Sequence, residues 1–78
     1  MDKTIIYEKT DLGQFEIVSR THRLASGVRI MLIMVDGRRS AAELIARSPQ
    51  PMDAEAYLTV LADGGFISDS HQQLERHG

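Results

Sequence analysis

The side chains of this chain that could do chemistry are few, and their spacing suits little of it. His22, His71 and His77 are the candidate neutral-pH bases and nitrogen ligands. A zinc hydrolase motif sets two histidines one helical turn apart with an acid at a fixed offset. His71 and His77 are six residues apart and no carboxylate holds that offset to any of the three. The absence of cysteine removes thiolate ligands, thiol nucleophiles and disulfides together. Serine, histidine and aspartate are present, but neither a nucleophile-elbow turn nor a Gly-rich phosphate loop is. Gly13, Gly27, Gly37, Gly64 and Gly65 stand where helices start or stop, so capping accounts for them. The sequence predicts a protein that is not an enzyme and takes no metal and no cofactor.

The other chemistry on offer is that of arginine. Residues 20–47 hold six arginines against Asp36 and Glu43, whereas residues 48–78 hold five acids against Arg76. Arg20, Arg23, Arg29, Arg38 and Arg39 on one face would contact a phosphate backbone. No aromatic residue lies between positions 16 and 56 to give bases a stacking platform. The reading preferred here is that the basic middle compensates helix dipoles and complements the acidic end, within one fold or between two copies.

These residues must be positioned by a small domain. The chain has 78 residues, 42 % hydrophobic and 26 % charged, which is globular composition for one domain. No run approaches 18 apolar residues, and the polar start Met1-Asp2-Lys3-Thr4 is no signal peptide, so a cytoplasmic protein without a membrane span is expected. A core of this size rarely supplies more than about 3–5 kcal/mol, so association is expected too.

Thr4–Tyr7 is β-branched and aromatic and predicts a short strand. Asp11 with Gln14 fits a capping box for a helix carrying Leu12, Phe15 and Val18, with Glu16 and Arg20 paired one turn apart and cations at its end. Ser26 is the expected cap of a second helix, and Val28 with Ile30–Val35 is apolar on every side. The unbranched Met31, Leu32 and Met34 favour helix over strand for that run. Asp36-Gly37 stops it, and Ser40 with Glu43 opens a third helix that turns Ala41, Leu44 and Ile45 inward. Pro49 and Pro51 end that helix. Asp53 is the expected cap of a fourth, in which Ala54, Tyr57, Leu58, Leu61 and Ala62 fill an inward stripe. Gly64-Gly65 closes it before a strand at Phe66-Ile67-Ser68. The domain is expected to span 1–68, with a flexible polar tail over 69–78.

Helix, extended link, capped helix, proline turn, amphipathic helix, Gly-Gly and strand occur in an order that resembles a winged helix-turn-helix over residues 26–68. The stretch LIMVDGRRSAAELI resembles a segment of small bacterial winged-helix domains, including peptide-binding relatives of the PqqD type. The resemblance implies a mainly α fold: a three-helix core with an extra N-terminal helix and a minimal β-sheet. It makes the helix from Asp53 to Asp63 the recognition helix. That helix turns Asp53, Glu55, Ala56, Thr59, Val60 and Asp63 outward, three acids and no base, which opposes docking on a polyanion. The wing's second strand is either missing or supplied by Thr4–Tyr7. Both departures favour binding to protein.

The expected function is therefore a protein-interaction or dimerisation module with a regulatory or adaptor role. Its partner is a second copy or another protein, reached through Val28, Ile30, Met31, Ile33 and Met34 and through Glu55, Ala56, Thr59 and Val60. The alternative is a small DNA-binding regulator working through the five arginines.

Overall fold

In the computed structural model, which describes residues 1–71, β1 (Tyr7–Lys9) leads into four helices, and β2 (Ile67–Asp69) returns to it. The helices are α1 (Asp11–Ser19), α2 (Ser26–Met34), α3 (Ala41–Arg47) and α4 (Pro51–Asp63). The fold is mainly α, with one two-stranded antiparallel sheet made by the terminal strands.

The apolar run of the second helix becomes the centre of the core. Val28, Met31 and Leu32 of α2 and Val35 beyond it are buried, and α4 packs on them through Ala54, Leu58 and Leu61. Short-range hydrogen bonds shape the link from α2 to α3. Asp36 Oδ1 accepts from the N–H groups of Arg38 and Arg39 at 2.9 and 3.0 Å. Gly37, at φ 77°, makes the left-handed turn that a side chain would resist. Ser40 Oγ accepts from the Glu43 N–H at 3.2 Å and caps α3 as expected.

The other three caps differ from expectation, that of α1 being Thr10 rather than Asp11. Ser26 lies inside α2, whose N-cap is Ala25 with no side-chain bond. Asp53 lies in the first turn of α4, because Pro51 fits the first helical positions and starts the helix earlier.

The expected first strand is displaced along the chain. Asp2 Oδ1 binds the Thr4 N–H and hydroxyl at 2.9 and 2.6 Å, so the start is a turn and pairing begins later. Tyr7 then faces Asp69, Glu8 faces Ser68 and Lys9 faces Ile67. The opposite edge of this segment is held by the link before α3. The N–H groups of Gly37 and Ala41 donate to the carbonyls of Tyr7 and Ile5 at 3.1 and 2.8 Å, and Ile6 bridges Ser40. The N-terminal segment thus supplies the second strand, and it joins both ends of the helical core. Asp69, expected in the tail, belongs to β2. Ser70 of the same stretch donates its N–H to the Ile6 carbonyl at 2.9 Å, and residues 72–78, with His77, lie outside the described residues.

Candidate interaction surface

α1 is held to the core by its backbone, a buried acid and the half-buried Ile17, the one apolar side chain of the helix packed on the core. Thr10, not Asp11, caps it: Thr10 Oγ1 accepts from the Gly13 N–H at 3.1 Å and donates to the Gly65 carbonyl at 2.6 Å. Gly13 lies so close to β2's approach that a Cβ there would sit 2.1 Å from the Phe66 carbonyl oxygen. One turn later Glu16 is 1 % exposed. Its carboxylate accepts from the His22 N–H at 3.0 and 3.2 Å and meets His22 Nδ1 at 2.6 Å. The His22 ring stands edge-on to Phe66, with centroids 5.2 Å apart. The expected Glu16–Arg20 pair is absent, because Glu16 points inward and His22 takes its carboxylate.

With Gly13 and Glu16 on the inner face, Leu12, Phe15 and Val18 turn to solvent. Phe15 is 60 % exposed and Val18 84 %. Their i, i+3, i+6 spacing lacks the i+4 members that make a buried stripe continuous, and this was the one signal in the sequence for their outward position. Nothing in the sequence pointed to the pairing of the buried Glu16 with the half-exposed His22. No periodicity announces it, because it depends on the turn after α1. In that turn Arg20 and Arg23 take φ of 55° and 48°, and the Arg23 N–H donates to the Arg20 carbonyl at 3.1 Å.

α2 divides the residues expected at an interface. Ile30 and Ile33 are exposed, and Met34 is half-buried against the core. Val28 and Met31 are core residues and cannot cross an interface, since their faces are already taken by packing within the domain. The outer face of α4 is as expected: Asp53, Glu55, Ala56, Thr59, Val60 and Asp63 are all exposed, and Met52 beside them is 97 % exposed.

The arginines do not form one face. Arg20, Arg23 and Arg29 surround a hollow of about 350 Å³ with Glu16, Leu24 and Ser26, and Arg29 Nη2 also donates to the Ile17 carbonyl at 2.7 Å. Arg38 and Arg39 stand past the other end of α2, where Arg39 Nε lies 3.8 Å from Asp36 Oδ2. The length of α2, about 12 Å at 1.5 Å per residue, separates the two groups.

A wider open trough of about 1340 Å³ runs along the sheet past Glu8, Lys9, Asp11, Asp36 and Asp69. The perturbed groups beside it are explained by structure. Burial, with the charges of Asp69 and Asp2, raises the Tyr7 phenol above its ordinary value. The N–H groups of Arg39 and Arg38 hold the Asp36 carboxyl below its ordinary value. Lys9 Nζ donates to the Val35 carbonyl, which ties β1 to the end of α2. Among the described residues no three of His, Asp or Glu stand together as a metal site, and no helix is long and apolar enough to cross a membrane. What this molecule offers a ligand is surface: exposed apolar residues on α1 and on α2, a basic hollow at their junction and an acidic side on α4. Compared with family models, curated proteins and solved structures, the chain has no match.

Proposed function

We propose that the chain is a non-catalytic protein-interaction module of winged-helix-like build, regulatory or adaptor in role, that self-associates through the outward side of α1 and α2. The observation that carries this reading is the inversion of α1, which buries Glu16 and turns Leu12, Phe15 and Val18 outward while α2 exposes Ile30 and Ile33. Covering a Phe or Val side chain is worth roughly 1.5–3 kcal/mol, comparable with the whole stability of so small a core. The winged-helix build is supported by the order α2, link, α3, proline turn, α4, β2, with β1 in place of a second wing strand.

Sedimentation at about 100 µM, well above micromolar affinities, tests the reading. The wild-type chain is expected above monomer mass, and the Phe15→Glu, Val18→Glu double variant is expected as a folded monomer. A monomeric wild type, or a double variant with unchanged mass, would contradict it.

The grouping of Arg20, Arg23 and Arg29 favours the second reading, a DNA-binding regulator. Under it, duplex binding at physiological salt would be sequence-selective and lost in Glu55→Lys. Under the first, any binding is salt-labile and sequence-blind, and Glu55→Lys strengthens it.

A further inference from the structure

Among the described residues, the arginines around the hollow and the acids of α4 form no ion pair with each other. Among the described residues the ion pairs are His22–Glu16 and Arg39–Asp36. Neither uses Arg20, Arg23 or Arg29, and neither uses Asp53, Glu55 or Asp63. The two groups are opposite in sign, and each sets charge beside carbon. The hollow has carbon on its walls, from Leu24 and the arginine stems, with guanidinium groups belonging to the same three residues; Glu16 also lines it, its carboxylate already engaged by His22. The start of α4 presents the reverse: the fully projecting Met52 next to the carboxylates of Asp53 and Glu55.

Both features also sit toward one end of α2. Gly27, next to Ser26 of the hollow, is so close to α4 that a Cβ there would lie 2.7 Å from the Tyr57 ring and 2.8 Å from Gln50 Oε1. Gln50 is the N-cap of α4, so the first turn of α4 and the hollow share that end. Two patches at one end of a molecule can be exchanged by a two-fold axis, each copy giving and receiving the same contact.

We infer that the arginine hollow of one copy receives Met52, Asp53 and Glu55 of a second copy, reciprocally. The inference rests on the self-association proposed above and adds what orients the two copies. Apolar burial supplies most of the affinity, and charge sets the register, since opposed like charges penalise every other docking.

Charge exchange tests it. One variant carries Arg20→Glu and Arg23→Glu, leaving Arg29 to hold Ile17. The other carries Asp53→Asn and Glu55→Arg. Each alone is expected to self-associate at least about tenfold more weakly than wild type. An equimolar mixture is expected to recover wild-type affinity, because a mixed dimer contains one reversed and one native contact. Raising salt from about 0.05 to 0.5 M shortens the screening length several-fold and weakens the wild-type dimer. If the doubly reversed chain melts early, Arg23→Gln replaces it, with a smaller loss.

Wild-type affinity in both variants, or a mixture no tighter than its parts, would overturn the inference. If the Phe15→Glu, Val18→Glu chain dissociates while the charge variants do not, the apolar reading stands and the orientation by charge fails. If the charge variants dissociate while the apolar variant does not, the reverse holds. A wild type that stays monomeric removes both.

Discussion

α1 and α4 both lie on the outside of the molecule with apolar residues at regular intervals, yet they use them in opposite ways. α4 buries Ala54, Leu58 and Leu61 and leaves its acids in water. α1 buries Gly13 and Glu16 and leaves Leu12, Phe15 and Val18 in water. The difference comes from what each helix touches. α4 meets side chains of α2 and α3, which reward a continuous apolar stripe. α1 meets the Phe66 carbonyl, where only a glycine fits, and the turn at His22, whose N–H and ring need an acceptor. A helix anchored by backbone, one hydrogen-bonded acid and Ile17 alone has its other apolar side chains to spare for another surface.

The contrast is broken most severely at Gly13. Gly13→Ala forces a methyl against a backbone oxygen at 2.1 Å, and a loss of about 4 kcal/mol or more is expected, enough to unfold a domain this small. Thermal melting should show no cooperative transition, whereas Ala56→Leu on the outer face of α4 should melt as wild type does. Next in size is Leu58→Ala in the α4 stripe, which empties a fully buried position and should cost about 2–5 kcal/mol in urea denaturation. Glu16→Ala leaves the His22 N–H without its acceptor, at about 1–3 kcal/mol. If Glu16→Ala proves neutral, the acid is not what anchors α1. Phe15→Glu should leave the stability of the isolated domain within about 0.5 kcal/mol, because its ring lies outside the core.

The smallest effect is one of pH. The folded Asp36 carboxyl sits below its ordinary value of 3.8, because the N–H groups of Arg39 and Arg38 bind its charged form. A lowered folded value means that the contribution is present above 3.8 and is lost as pH falls through the folded value. Acid unfolding of wild type and Asp36→Ala should therefore converge at low pH and separate as pH rises toward neutrality.

The parts of this fold that were legible in the sequence are those set by contacts a few residues long. Ser40 caps Glu43, Gly37 takes a left-handed turn, and the α4 stripe has all its i+3 and i+4 members. Ser26 and Asp53 carry the right chemistry for caps, but the chain entering each helix decides which residue occupies the capping position. The Glu16–His22 pair was illegible because two arginines, residues with no preference for positive φ, make the turn that brings His22 back. The arginines read as one group because a linear charge count cannot see that α2 stands between them. Val28 and Met31 read as interface residues because the sequence does not say how much of α2 the other helices cover.

The central claim, that the outward side of α1 and α2 is covered by a second copy, is tested most directly by a dilution series of side-chain NMR spectra. Phe15, Val18, Ile30 and Ile33 resonances should move together with protein concentration, with those of Leu58 and Leu61 unmoved as internal references. Resonances of Phe15 and Val18 that stay fixed from about 10 µM to 1 mM, a range spanning weak dimer affinities, would contradict the account.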